Sequence, residues 1–323
     1  MHFIVTGGAG FIGSHVTEQL LLEGHRVTVV DNLTTGNLNN LPDRPGLTFL
    51  HKNILACQPE DFCSPIDGIA HLAATPSVTE SWLRPIDAHH NNISATIAVI
   101  ELCQALNIPK LVFASSAAVY GSKAISITEE QATEPLSPYG LQKLVCEQYA
   151  GLFAKQFNFS FVGLRLFNVF GPRQLPNSQY SGVISIFATA FQQDRPIKIY
   201  GDGTQTRDFI FVKDVAIAFA KALTTPLAPG SAISCNVGTG KSSSLIQLVD
   251  ILKTFFPNWK SEIKFASPRL GDIQHSQADL SKTTSILNFT PQYSIEDGIR
   301  HLLEIKEKPQ ITLANLNLTL MAS

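Results

Sequence analysis

Tyr139 and Lys143 are separated by Gly140, Leu141 and Gln142, a spacing that puts both side chains on one face of a helix. A phenol at its ordinary pKa of about 10 is a poor base near neutrality. An ammonium beside it favours the phenolate, so the pair reads as a proton acceptor and donor for a substrate hydroxyl. Ser116 follows the strand-like run Leu111–Ala114, where its hydroxyl could bind the same substrate oxygen. Tyrosine and lysine at this spacing are also common on exposed helices. The pair gains meaning only with a second motif near the start of the chain.

That motif is Thr6–Gly13, which joins the strand-like Phe3–Val5 to a helical segment, Phe11–Gly24. Gly7 and Gly10 permit a tight turn and close backbone approach to a pyrophosphate, and Gly13 lets the helix pack on the strand. The helix start, at Phe11 and Ile12, offers amide donors and a positive dipole end to phosphates. Asp31 closes the next strand, Val27–Val30, about 20 residues further on, where a carboxylate accepts hydrogen bonds from an adenosine ribose. It would repel a 2′-phosphate, so the expected cofactor is NAD rather than NADP.

Further strands are expected at Leu47–Leu50, Gly68–Leu72 and Leu111–Ala114, with a helix over Asn92–Leu106. Apolar strands separated by helices indicate a parallel sheet covered on both faces. With right-handed crossovers this is an α/β, Rossmann-type doubly wound parallel sheet. Beyond Phe167 the pattern loosens through loop signals at Gly171–Arg173 and Gly201–Gly203, then a strand-like Phe209–Val212. The expected division is an NAD-binding domain over 1–170, with the chain returning to it near 205–225. A smaller mixed α/β C-terminal substrate domain covers 171–310, and 311–323 form a tail.

The 323 residues are 44% apolar and carry a formal charge of −2, which supplies no general attraction to nucleic acid or an anionic membrane. An anionic ligand must be held by local groups. There is no signal-peptide pattern and no apolar run of membrane-spanning length, so a cytoplasmic protein is expected. The five cysteines fit no zinc motif, and most read as buried small hydrophobes. The nine histidines show no metal-ligand spacing, and no metal is expected; His89 and His90 read as an exposed helix start.

The segments Thr6–Gly13, Asp31–Gly36, His71–Ala74, Ser115–Gly121, Tyr139–Lys143, Leu164–Arg173, Gly201–Asp208 and Arg269–Asp272 together resemble the extended short-chain dehydrogenase/reductase family. Within it they are most similar to the UDP-sugar 4-epimerases. The resemblance covers nearly the whole chain. It implies a tightly held NAD, recycled in each turnover, that takes hydride from sugar C4 while Tyr139 takes the O4 proton. The 4-keto sugar then turns over and hydride returns to its other face. Lys143 would bridge the nicotinamide ribose and tune Tyr139, and Ser116 would orient O4. Asn32, Asn53, Ile54, Leu72, Ala73, Ala74 and Asn92 are the implied further cofactor contacts. Asn53 stands where many relatives carry Asp, and its carbonyl can still accept from the adenine amino group. Asn168, Arg207 and Arg269 would hold the diphosphate or nucleotide, and Asp272 a ribose.

Dehydratases and decarboxylases of this family resemble the same post-strand motif with an acidic residue in it. Ala117 and Ala118 stand there in this chain, and alanine moves no proton. That favours epimerisation over another nucleotide-sugar oxidoreductase or modifying enzyme (dehydratase, decarboxylase, uronate epimerase). A non-catalytic NAD-binding relative is disfavoured because Ser116, Tyr139 and Lys143 are all present. The resemblance puts Ser276 beside the sugar C2 substituent, where a small side chain admits UDP-GlcNAc or UDP-GalNAc. It also implies a homodimer through a four-helix interface, from Asn92–Leu106 and Tyr139–Phe153, with Ile93, Ile97, Ile100 and Leu144 available for packing.

Overall fold

The computed structural model describes residues 1–63, 65–122, 126–175, 182–268 and 273–303; the expected tail at 311–323 lies outside them. The apolar runs become β1 (His2–Thr6), β2 (Arg26–Asp31), β3 (Leu47–His51), β4 (Gly68–His71), β5 (Lys110–Ser116) and β6 (Ser160–Leu166). Between them lie α1 (Phe11–Leu22), α2 (Val78–Leu83), α3 (Pro85–His89), α4 (Ala95–Ala105) and α5 (Pro138–Phe157). Helix α1 ends where Gly24, at φ +81°, turns the chain, and the Gly24 and His25 amides cap Leu21 O and Leu20 O. Such a left-handed glycine is the usual helix stop.

The helix expected to begin at Asn92 begins at Pro85 instead. One π turn, His90–Ser94, joins α3 to α4. Proline suits a first helical position, and the wider π turn breaks the 3.6-residue spacing that periodicity relies on. His89 and His90 are exposed but sit within this helical run rather than at its start.

The second half adds β7 (Asn168–Phe170), α6 (Val183–Gln192), β8 (Ile197–Tyr200), β9 (Thr206–Arg207), β10 (Phe209–Phe211) and α7 (Val212–Thr224). Then come β11 (Ala232–Val237), β12 (Ser243–Ser244), α8 (Leu245–Phe255), β13 (Ile263–Ala266), α9 (Ser281–Leu287) and α10 (Ile295–Leu303). Val212, expected to end a strand, opens α7.

The central sheet has seven parallel strands in the order β11-β6-β5-β4-β1-β2-β3. The return to it therefore extends to Val237, past the expected 205–225. The order reverses between β1 and β4, and in an open α/β sheet that reversal leaves a crevice at the carboxyl ends of the strands. All five residues of β1 are buried. One face packs Val5, Val16, Val29 and Phe219 under α1 and α7; the other packs Ile4, Val99, Ile100 and Phe161 under α4 and α5. The C-terminal region has its own core of Phe170, Phe187, Phe191, Ile199 and Leu248. Ile100, expected at a dimer face, is fully buried in the sheet core and is removed from that role; Ile93, Ile97 and Leu144 are half-buried. Cys57, Cys103, Cys146 and Cys235 are buried and Cys63 is exposed, all as free thiols.

Candidate active site

The glycine turn is built by steric necessity. Gly7 has φ +69°, and a Cβ there would lie 2.7 Å from Ala73 N; one on Gly13 would lie 2.1 Å from Gly7 O. At Gly10 a Cβ would meet only Gly7 O, at 3.1 Å. Gly7 and Gly13 thus hold the turn, α1 and the β4 loop together, while Gly10 leaves room above the turn. No side chain caps α1 at Gly10, which keeps the Phe11–Ile12 end suited to an anion.

Asp31 is buried at the end of β2. Its Oδ2 accepts from Ala9 N at 3.0 Å and its Oδ1 from Leu33 N at 2.8 Å. A carboxylate has about four acceptor positions, so the two amides fix it and leave capacity for ribose hydroxyls. Asn32 is exposed and accepts from Thr34 N at 3.1 Å. Asn53 caps the short turn Ile54–Ala56 by accepting from Leu55 N at 3.0 Å, and Ile54 is buried. The Leu72 and Ala73 amides both donate to Thr6 Oγ1 at 3.2 Å, with Ala74 half-buried beyond them. An obligatory glycine turn, an open helix end and an anchored carboxylate fit a dinucleotide.

The acid/base residues are brought together by the start of α5. Ser137 caps the helix by accepting from Gly140 N at 3.1 Å, and Tyr139 N donates to Ser81 Oγ at 3.1 Å. A Cβ on Gly140 would lie 2.5 Å from Ala118 O, so only glycine lets the helix press against the turn Ala117–Val119. Ser116 caps that turn by accepting from Ala118 N at 3.1 Å, and its hydroxyl lies near enough to the Tyr139 phenol to lower that group's pKa. Lys143, 3% exposed, donates from Nζ to Ala114 O at 2.7 Å. Its Nζ lies 4.6 Å from the Phe113 ring centroid and 5.8 Å from that of Tyr139.

In the chain alone burial, not Lys143, dominates the phenol. Burial pushes Tyr139 up to about 12, against a lowering by Ser116. Burial pulls Lys143 down to about 8, against smaller opposing effects of Cys146 and Glu147. Desolvation dominates both groups because both are buried away from water.

Asn92 lies in the π turn, 2% exposed. Its Oδ1 accepts from Thr75 N at 2.8 Å, and its Nδ2 donates to Gln142 Oε1 at 2.7 Å and Thr75 O at 3.3 Å. Both ends of the amide are engaged within the chain, so Asn92 braces the β4 loop against α5. Beneath Lys143, Glu147 accepts from Ser115 Oγ, from Ser234 Oγ at 3.0 Å and from Arg165 at 2.8–3.3 Å. Arg165 also donates to Tyr120 Oη at 2.9 Å, and Tyr120 donates to Asn236 Oδ1 at 2.6 Å. The Glu147 pairing raises the guanidinium pKa further despite burial.

In the C-terminal region Asn168 is exposed on β7. Arg207 is half-buried on β9, its Nη1 donating to Thr206 O at 2.9 Å. Ser276 is buried. Arg269 and Asp272 lie outside the described residues. Asp208, fully buried, accepts from Thr239 N and Oγ1, each at 2.7 Å, from Gly240 N at 3.0 Å and from Ala278 N at 3.1 Å. It thereby holds the segment carrying Ser276 against β10. A cavity of about 720 Å³ beside β9 is lined by Tyr200, Gly201, Asp202, Gln205, Phe265 and Pro268. Its walls, Asn92's brace, Glu147, Arg165 and Asp208 were not assigned roles from sequence, although Arg165 and Asp208 lie inside the family-like segments. Among the described residues no group of His, Cys, Asp and Glu could hold a metal ion, and no helix is long and apolar enough to cross a membrane.

Residues 3–238 match the model of the NAD dependent epimerase/dehydratase family. A putative UDP-glucose 4-epimerase of Methanocaldococcus jannaschii is 36% identical over 304 residues, covering 93% of this chain and 96% of that protein. The UDP-glucose 4-epimerase of Mycolicibacterium smegmatis is 33% identical, covering 94% and 98%. A solved UDP-N-acetylglucosamine 4-epimerase from Methanobrevibacter ruminantium, in complex with UDP-N-acetylmuramic acid, superposes with a TM-score of 0.88 at 36% identity, covering 94% of this chain and 97% of that one. The Thermus thermophilus UDP-glucose 4-epimerase, complexed with NAD, gives 0.84 at 32% identity, covering 94% and 98%. The chain therefore belongs to the NAD-dependent epimerase/dehydratase family, as an enzyme of the UDP-sugar 4-epimerase type.

Proposed function

We propose that this chain inverts C4 of a UDP-hexose without net oxidation. The reading is carried by Ser116, Tyr139 and Lys143 meeting at the carboxyl end of β5, with Ala117 and Ala118 beside them. NAD, when bound, supplies a hydride acceptor that becomes the donor within the same turnover. Ser116 and Tyr139 hold the sugar O4; Tyr139 takes the O4 proton as C4 is oxidised and returns it after the 4-keto sugar presents its other face. Lys143 holds the cofactor ribose and provides the cation that favours the phenolate. Asp31 receives the adenosine ribose, and the Gly7–Gly13 turn the pyrophosphate. Arg207 and Arg269 pair with the substrate diphosphate, as planar guanidiniums suit phosphate oxygens, with Asn168 and Asp272 completing the nucleotide contacts. The cavity beside β9 has room for the nucleotide.

Within that reading, the small side chain of Ser276 supports acceptance of UDP-GlcNAc and UDP-GalNAc. The test incubates the holoenzyme with UDP-hexoses, N-acetylhexosamines and uronates and separates the products. Epimer pairs without NADH accumulation are expected; stoichiometric NADH would make it a net oxidoreductase. Tyr139→Phe should keep bound NAD and lose nearly all turnover, and an active variant would remove Tyr139 as the base. Ser276→Tyr should selectively depress turnover of the N-acetylated substrates; equal rates in both proteins would discard the Ser276 assignment.

The same family reading supports a homodimer through α4 and α5. Ile93, Ile97 and Leu144 are half-buried, and Leu141 and Leu152 stand 52% and 69% exposed on α5.

A further inference from the structure

We propose that His71 is a positioning residue for the dinucleotide: a neutral imidazole whose one permitted tautomer ties together the segments that face the cofactor. His71 ends β4 and is 1% exposed. Its Nδ1 lies 2.7 Å from Thr6 Oγ1 and its Nε2 3.2 Å from Thr96 Oγ1. The neighbouring bonds decide which nitrogen carries hydrogen. Thr6 Oγ1 already accepts the Ala73 amide and part of the Leu72 amide, which is shared with Thr6 O at 3.1 Å, and this takes up its acceptor capacity. Its own hydrogen therefore goes to Nδ1. Thr96 Oγ1 donates to Asn92 O at 2.7 Å, so it receives the hydrogen of Nε2. The chain runs one way, from Thr6 through His71 and Thr96 to Asn92.

A hydrogen on Nδ1 would have no acceptor, and a second positive charge would be buried near Lys143. Burial, with a further lowering by Lys143, holds the ring pKa down to about 3. The chain spans the site. Thr6 precedes the phosphate turn, Leu72 and Ala73 begin the β4 loop, and Asn92 grips Thr75 and Gln142. Gln142 lies between Tyr139 and Lys143 on α5. One ring thus connects the phosphate turn, the β4 loop and the helix bearing the acid/base pair.

The inference rests on the proposed placement of NAD but not on the identity of the sugar. Nitrogen-15 NMR of the labelled holoenzyme at pH 7, with His71 assigned by its loss in His71→Asn, should show hydrogen on Nε2 and a bare Nδ1. A hydrogen on Nδ1, a mixture, or a doubly protonated ring would overturn the assignment. His71→Asn keeps an acceptor toward Thr6 and loses the bond to Thr96. NAD should leave that holoenzyme about tenfold faster on ultrafiltration, the order expected for one buried hydrogen bond, while kcat at saturating NAD changes little. Unchanged NAD retention, or a fall in kcat alone, would refute the positioning role. If His71→Asn does not fold, His71→Gln, which keeps the donor toward Thr96, takes its place in the NAD measurement. The wild-type spectrum then decides the tautomer, with assignment from the remaining histidine variants. Tautomer and NAD retention are read without sugar turnover, so failure of the epimerase reading would leave them separately decided.

Discussion

At the scale of single residues, the acid/base set is under desolvation strain before any ligand arrives. Lys143 is held near 8 by burial, against an ordinary lysine near 10.4. Between those values the unfolded chain keeps a proton that the folded chain has released, so this group makes folding more favourable as pH rises through the window. Below about 8 the contribution is level, because both states are charged. Lys143→Met lacks it altogether. After removal of cofactor, urea melts should show wild type gaining stability relative to Lys143→Met from pH 8 to pH 10; a constant difference would mean the ammonium carries no burial cost. The Tyr139 and Lys143 positions were legible because their chemistry is local, one helical turn apart. The sign of the phenol shift was not, since it depends on how much water Phe113, Ser116 and the α5 start exclude.

At the scale of elements, α5 is set by two devices. Gly140 allows it to approach Ala118 O, and the Glu147–Arg165 pair pins it to β6. Removing one member of a buried pair leaves an uncompensated charge, a cost of about 3–5 kcal/mol, whereas replacing both by apolar groups is far milder. Arg165→Met should lose about that much in denaturant unfolding, and adding Glu147→Leu should recover a substantial part. A double variant as unstable as the single one would show that Glu147 tolerates the loss of its partner. The glycine turn and most central strands could be read from sequence because β1, α1 and β2 are contiguous and strongly patterned. Glu147 and Arg165, or Asp208 and Ala278, meet only through the fold, so no local pattern announces them. The π turn at His90–Ser94 concealed α3 for the related reason that it shifts the helical phase.

At the scale of the whole molecule, the apolar face of α5 makes the proposed dimer testable. Leu152→Glu would place a charge among apolar side chains if two copies pack there, so sedimentation should report a shift toward monomer. An unchanged mass would move the interface elsewhere. The division at residue 170 is less clean than the motifs suggested, because β11 was not recognisable as part of the first domain. Ala232–Val237 is a short run separated from β6 by β7 to β10 and by α6 and α7. Its parallel register on β6, from Ala232 opposite Phe161 to Val237 opposite Leu166, has a consequence for how the protein is made. A nascent chain that has emerged only as far as residue 170 exposes β6 as an unfinished margin, its ladder amides and carbonyls open to any passing strand. That margin stays open until residues 232–237 have been delivered, and the elements from β7 to α7 are threaded through the sheet's completion rather than appended to it.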